Sequence, residues 1–405
     1  MTVIFVNRYF YPDHSATSQL VSDLAFHLAV RGYRVRVVTS RQRYDVPGAR
    51  LTAREQIRGV DVQRVWTFRF GRASLPGRAL DYLSFYLSAG WQLVRVARPG
   101  DVVVAKTDPP LISIVAGWAA RWRGAKLVNW LQDLFPEVAA ALGIGLARGL
   151  TGRALVALRN GSLRRAVLNV EIGEGMRTRL LAEGVDDQRV RVIHNWCDDA
   201  HIRPLPAASS PLRRAWGLAD CFVVGYSGNL GRAHEIDTLL TAAERLAQEA
   251  GIVFLFIGGG AALERLRSEA EARGLANLCF KPYQPYERLP ESLSVPDVHL
   301  VILRPELEGL IVPSKFYGIA AAGRPTIHVG AMDGEIPRWL LDAEAGLAVA
   351  QGDGEGLALA ILRLRDDAAL RERMGRNARL LCEAQFSRPA ALELWVAALT
   401  AAMAS

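Results

Sequence analysis

The sequence predicts an α/β protein of two doubly wound, Rossmann-like domains in tandem, facing one another across a cleft. Three observations predict it. Short apolar runs alternate with helix-length stretches, the mark of parallel strands joined by crossover helices. The alternation happens twice over 405 residues, too many for one ordinary domain. Between the two series lies His201-Ile-Arg-Pro-Leu-Pro-Ala-Ala-Ser-Ser-Pro211, whose three prolines and two serines mark a linker.

The strands expected in the first half are Val3–Val6, Arg34–Thr39, Val102–Ala105, Lys126–Trp130, Ala166–Ile172 and Val190–His194. The second half offers Phe222–Tyr226, Ile252–Gly258, Leu278–Phe280, Val298–Leu303, Thr326–Val329 and Gly346–Ala350. Domains are therefore expected at 1–203 and 204–387. The final helix, Arg388 to Ala402, is apolar on one side and is expected to cross back onto the first domain as a separate segment, 388–405.

Composition narrows the function. The four cysteines, at 197, 221, 279 and 382, form no CxxC pair, which argues against a disulfide framework or zinc site and for a reducing compartment. Met1-Thr-Val-Ile-Phe-Val enters a strand pattern without the basic start of a signal peptide. No stretch supplies the ~18 apolar residues of a membrane span. Charge is uneven: residues 1–200 carry 28 Lys and Arg against 17 Asp and Glu, whereas 201–405 carry 21 against 24. A basic first half calls for an acidic partner: nucleic acid, anionic lipid or a phosphorylated acceptor.

The most informative segment runs from Glu306 to Pro325. It follows a buried-strand pattern and passes Glu308, Gly309, Leu310, Ile311, Pro313 and Ser314 before an alanine-rich helix with Lys315 in its first turn. Pro313 suits the first helical position, and loop amides with a nearby lysine make an anion site. Gly323-Arg324-Pro325 then stops the helix. In Tyr226-Ser227-Gly228-Asn229-Leu230-Gly231-Arg232, the glycines permit close backbone approach and Arg232 can fork onto phosphate oxygens. Gly258-Gly259-Gly260 ends another strand. Lys281-Pro282-Tyr283 ends a third, with Tyr283 placed to flank a planar base. Two of the four lysines, Lys281 and Lys315, fall in these loops.

Ser227-Gly-Asn-Leu-Gly-Arg232-Ala-His, Gly258-Gly-Gly260 and Glu308-Gly … Pro-Ser-Lys315 … Ala-Ala-Gly-Arg-Pro325 resemble family-4 retaining glycosyltransferases of GT-B fold. The resemblance covers essentially the whole chain. Pro-Ser-Lys-Phe-Tyr-Gly-Ile resembles the branch that builds bacterial surface polysaccharides (O-antigen and colanic-acid type) on lipid carriers, including hexosaminyl and fucosaminyl transferases. It implies a nucleotide-sugar donor, a UDP-sugar by preference, bound as substrate by the second domain. It implies no cofactor, and Asp-x-Asp is absent, so no metal is expected. The family's E-x7-E motif departs here: its second acidic position falls on Gly318, and Glu308 is the candidate for the first. The phosphate ligands fall on Asn229 and His234, leaving Arg232 and Lys315 as substitutes.

On the acceptor side, Arg8, Asp13, His14, Ser15 and Thr17 follow the first strand, with Asp13 and His14 placed for a base or acceptor clamp. Capping of the next helix alone would justify Ser15 or Thr17. In Asn129-Trp-Leu-Gln132-Asp133, Gln132 takes the family's histidine position and Asp133 is the polar candidate, with helix capping as its alternative. Residues 51–100 hold eight arginines, including the acceptor candidates Arg72 and Arg78, among Trp66, Phe68, Phe70, Tyr82, Phe85, Tyr86 and Trp91. Two apolar stripes run there, Leu80/Leu83/Leu87/Trp91/Val94 and Tyr82/Tyr86/Leu93/Val96, one of which must face a sheet. Arginine mixed with aromatics suits a membrane interface and anionic lipid head groups rather than nucleic acid, and the resemblance implies a polyprenyl-diphosphate-linked saccharide acceptor at the inner face of the plasma membrane. The competing readings are a sugar-nucleotide 2-epimerase of the same architecture and a non-catalytic sugar-nucleotide-binding subunit. A dinucleotide oxidoreductase ranks last, because no strand runs into GxGxxG.

Overall fold

All twelve expected strands form, and two more join them. The computed structural model describes residues 1–44, 46, 48–71, 75–147, 149–206 and 210–404. In chain order the first part holds β1 (Thr2–Val6), α1 (Ala16–Val30), β2 (Arg34–Ser40), β3 (Arg54–Ile57), β4 (Val60–Val65), α2 (Leu75–Val96), β5 (Val102–Lys106), α3 (Ile112–Arg123), β6 (Lys126–Trp130), α4 (Glu137–Ala141), α5 (Gly149–Arg165), β7 (Leu168–Glu171), α6 (Glu174–Ala182) and β8 (Val190–Val192). The second part holds α7 (Pro211–Ala215), β9 (Phe222–Asn229), α8 (Asp237–Arg245), β10 (Ile252–Gly259), α9 (Ala261–Ala272), β11 (Leu278–Lys281), α10 (Leu289–Ser294), β12 (Val298–Ile302), α11 (Lys315–Ala321), β13 (Thr326–Gly330), α12 (Glu335–Asp342), β14 (Gly346–Ala350), α13 (Gly354–Asp366) and α14 (Ala368–Gln385). Helix α15 (Arg388–Ala404) ends the chain.

The first sheet runs β3-β4-β2-β1-β5-β6-β7-β8 and the second β11-β10-β9-β12-β13-β14. All strand pairs are parallel except the β3–β4 hairpin. Helices cover a parallel sheet on both faces, so its strands read as unbroken apolar runs; β5 and β12 are buried at every position. The hairpin escaped periodicity because β3 is an edge strand with Arg54, Glu55 and Gln56 exposed. Arg58 and Gly59 turn it with φ of 45° and 83°, the paired positive values of a tight hairpin.

The chain divides into two units, Met1–His194 with the stretch from Ala391 onward, and Asn195–Ala390. Residues 195–203 lie with the second unit, ahead of the 203/204 boundary that the prolines imply. Arg379 ties them there, donating to the carbonyls of Ile202 at 2.9 Å and Asp199 at 3.3 Å. Arg388 adds an ion pair to Asp198 at 2.9 Å. In the first unit Trp395 of α15 packs at a tilt against Trp130 at the end of β6, ring centroids 4.5 Å apart, and Lys126 donates to the Met403 carbonyl at 2.7 Å.

Each unit has its own core. In the first, Phe85, Ala89 and Leu93 of α2 and Ile112 and Ala116 of α3 pack on Ile4, Val6 and Val103. The stripe holding Leu93 therefore faces the sheet, while Leu80, Leu83, Leu87 and Trp91 point to solvent. In the second, Val224, Tyr226, Phe254 and Phe256 pack against α8, α9 and α13. Burying each such large side chain stabilises the fold by about 1.5–3 kcal/mol. Among the described residues, no helix is long and apolar enough to cross a membrane.

Candidate functional site

In an open α/β sheet, ligands bind at the carboxyl ends of the strands where strand order reverses. That point lies between β9 and β12 in the second sheet and between β1 and β5 in the first. The candidate residues concentrate at both.

In the second unit β9 and β10 stay paired to their last residues, Gly228 opposite Gly258 and Asn229 opposite Gly259. Glycine is required at 258: φ is +141°, and a Cβ there would sit 2.2 Å from the Gly228 carbonyl oxygen. The Tyr283 ring lies over this glycine floor, 3.2 Å and 3.4 Å from where Cβ atoms of Gly258 and Gly259 would be. Across the floor stands Lys315, the first residue of α11. Its ammonium lies 3.5 Å from the centroid of the Tyr226 ring and donates to the Tyr226 hydroxyl. That hydroxyl donates to the Asn229 carbonyl at 3.0 Å. Lys315 makes no ion pair among the described residues, and burial holds its ammonium well below a lysine's ordinary value. His234 sits edge-on to Tyr226, and its Nδ1 accepts from the Gly231 N–H at 3.0 Å. Burial, then Lys315, takes its pKa down to about 3, so the ring is neutral.

Several candidates are engaged differently from the expectation. The Leu310 and Ile311 N–H groups do not form an anion site: both donate to the Leu307 carbonyl, at 3.0 and 3.3 Å. The short 3-10 turn Pro305–Leu307 aims that carbonyl at them, and the Gly309 amide serves the Glu308 carboxylate. Leu310 is buried, and Gly309 has a φ of 69°. Pro313 is not the first helical residue; α11 starts at Lys315, with Ser314 as an N-cap that makes no side-chain capping bond. The Glu308 carboxylate accepts the Glu335 N–H at 2.8 Å, at the start of α12, and burial raises its pKa. Arg232 is exposed and makes no ion pair among the described residues. The Lys281 ammonium lies over the Trp216 ring, 5.7 Å from its centroid.

In the first unit Arg8 is buried and paired with Asp81 at 3.2 Å, and it also donates to Gln42. Asp81 further accepts the N–H groups of Phe70 and Gly71 at 2.9 and 3.2 Å. Asp13 accepts the Ser15 N–H at 2.8 Å and the Ser15 hydroxyl at 2.5 Å, and the Tyr44 N–H as well. Ser15 holds the N-cap position of α1, yet its hydroxyl does not cap; Asp13 has taken it. The Thr17 hydroxyl donates to Asp108 at 3.0 Å, so it is no cap either. His14 is exposed, Arg78 half-buried, and Arg72 lies outside the described residues. Asp133 hydrogen-bonds Thr107, and burial pushes its pKa up to about 6.

Sequence reasoning passed over two residues here. Lys106 is fully buried, its ammonium 3.4 Å from the Trp130 ring centroid and, among the described residues, without a hydrogen-bond partner. A lysine ending the apolar run Val-Val-Val-Ala was the available signal. Glu171 is also fully buried at the end of β7; burial pushes it up to about 8, with Arg159 opposing. Among the described residues no cluster of His, Cys, Asp and Glu is placed to hold a metal ion.

Residues 16–196 match the glycosyl transferase 4-like domain and residues 212–381 the glycosyl transferases group 1 family. The colanic acid biosynthesis glycosyl transferase by name, WcaI of Escherichia coli K12, is 28% identical over 335 residues, 80% of this chain and 82% of its own. Sucrose-phosphate synthase from Thermosynechococcus elongatus superposes with a TM-score of 0.76 at 17% identity, covering 99% of both chains. Anabaena HepE, solved with UDP-glucose, gives 0.74 at 17%, covering 99% of this chain and 100% of its own. The protein is a glycosyltransferase of the GT-B fold, with a glycosyl transferase 4-like first half and a group 1 glycosyl transferase second half.

Proposed function

We propose that the protein moves a sugar, with retention and without a metal, from a UDP-sugar to a lipid-linked saccharide during assembly of a bacterial surface polysaccharide. One observation carries the proposal: Lys315 presents a desolvated amino group with no carboxylate partner among the described residues, fixed on Tyr226 beside the Gly228 backbone. A diphosphate is the partner such a group lacks, and binding it restores the charged form of the lysine. Tyr283 covers the uracil, Gly228, Asn229 and Gly258 let the diphosphate lie against backbone, and exposed Arg232 closes onto it. Two relatives support the donor and the pathway: HepE is solved with UDP-glucose, and WcaI is named for colanic acid biosynthesis.

The sugar C1–O bond to the β-phosphate breaks while the acceptor hydroxyl oxygen bonds to C1 on the same face. The hydroxyl proton passes to the departing phosphate oxygen. Lys315 steadies the charge that builds on that oxygen, the point at which interaction lowers the barrier. Glu308, held rigid by α12, contacts the donor sugar. On the acceptor side Asp13 and His14, with Thr17 and Asp133, orient the incoming saccharide, and the first unit meets the inner face of the plasma membrane.

A thermal-shift screen of UDP-, GDP- and ADP-sugars on the wild type and Lys315→Ala tests this. UDP-sugars should raise the melting temperature, since a ligand of the native state stabilises it by mass action. The variant should need about 10- to 150-fold more ligand, the equivalent of one charge-assisted bond. No shift with any sugar nucleotide, or an unchanged response in the variant, would remove the reading.

A further inference from the structure

The outer faces of α2, α3 and α5 carry no carboxylate. The three helices share one face of the first sheet: α2 and α3 contribute to a common buried cluster, and Ser162 of α5 donates to the Ser113 carbonyl of α3 at 3.1 Å. The single acid in all three is Asp81, which is buried against Arg8.

Apolar groups fill the same outer face. On α2 stand Leu80, Leu83, Leu87 and Trp91, the last two 67% and 64% exposed. On α3 the exposed rings of Trp118 and Trp122 lie 5.1 Å apart. On α5, Leu150 and Leu158 are exposed. Exposed Arg95, Arg121, Arg123, Arg153 and Arg165 punctuate the layer. Solvated surfaces intersperse both signs of charge, so contiguous apolar groups among charges of one sign mark an interaction site.

We infer that this three-helix face docks on an anionic lipid bilayer. Tryptophan and leucine settle at headgroup depth, and the guanidiniums meet lipid phosphates. A second copy of the chain would set arginine against arginine, which is repulsive. Nucleic acid would satisfy the arginines and leave Leu83 and Leu87 facing water. The inference rests on the reading that the acceptor is membrane-bound, and names the face that meets it.

Co-sedimentation of the full chain with vesicles of phosphatidylcholine, with and without phosphatidylglycerol, tests it. Binding should require phosphatidylglycerol and weaken as salt screens the charges. Arg121→Ala and Arg153→Ala should each weaken it about fivefold, and Trp118→Ser with Trp122→Ser about tenfold or more. These sites are exposed, so melting temperatures should hold. Equal binding to neutral vesicles, or binding unaffected by the variants, overturns the inference. So does a dimer in light scattering that the tryptophan variant disperses, since the face would then belong to a second copy. UDP-sugar thermal shifts on the same samples separate the two proposals. Variants that lose vesicles and keep the shift support docking, whereas a wild type that binds vesicles without any shift sinks only the transferase reading.

Discussion

The Lys315 ammonium lies 3.5 Å from the centroid of the Tyr226 ring and donates a hydrogen bond to its hydroxyl. The tyrosine thus supplies both a π-face and an acceptor to a group whose charged form burial disfavours. Tyr226 is 1% exposed and is anchored in turn by the Asn229 carbonyl. The Lys315 position is therefore set by the end of β9.

Tyr226→Phe should keep the ring and lose the anchor. Stability should fall by about 1 kcal/mol, the worth of a typical hydrogen bond, and kcat/KM for the donor by about tenfold. Tyr226→Leu should lose as much activity as Lys315→Ala. Urea melts with initial rates at varied donor check this; if Tyr226→Leu matches wild-type rates, the tyrosine does not position Lys315.

Arg8 and Asp81 should be far costlier to break than to replace. Asp81→Ala leaves Arg8 buried without its charge partner and strips the Phe70 and Gly71 amides, so a loss of about 3–5 kcal/mol is expected. Arg8→Met with Asp81→Asn should recover part of it. Equilibrium unfolding of the two single variants and the pair measures the coupling, and strict additivity would show that the contact carries none.

Glu171 should make stability fall as the solution becomes alkaline. Its folded pKa, about 8, exceeds the ordinary 4.5 because of burial, with Arg159 opposing. The native state therefore keeps a proton that the unfolded chain releases. That contribution is full below about pH 4.5 and gone once pH rises through about 8. Glu171→Gln should flatten the decline, gaining up to ~5 kcal/mol over the wild type at its alkaline end. Parallel pH profiles in melting experiments would refute this.

Glu308→Gln separates capping from chemistry. Glutamine can still accept the Glu335 N–H but no longer complements the α12 dipole, so stability should drop by about 0.3–1 kcal/mol. Transfer should drop about a hundredfold if the carboxylate also contacts the sugar in the transition state. A drop in rate no larger than the drop in stability would assign Glu308 to the helix alone.

The strands were legible because a sheet covered on both faces needs apolar residues at every position, and Val102–Lys106 or Val298–Ile302 can hardly be anything else. The glycine floor was legible too, since strand ends that stop in Gly-x-x-Gly or three glycines leave backbone bare. The role of Asp81 was not, because its partner Arg8 is 73 residues away. The amides of Leu310 and Ile311 looked available until the turn at Pro305–Leu307 brought a carbonyl onto them. Nothing in the sequence pattern singled out Trp118, Trp122, Leu150 and Leu158. Only the packing of α3 against both α2 and α5 joins them into one acid-free layer of helix faces.

Alone, the sequence determined two parallel α/β sheets and the loops at their strand ends, because burial on both faces and backbone clearance restrict which residue types can stand where. Tertiary structure decided which charged groups have protein partners and which, among the described residues, have none. A residue's spacing along the chain encodes its own geometry, whereas the neighbour that neutralises it or leaves it exposed arrives from elsewhere in the fold.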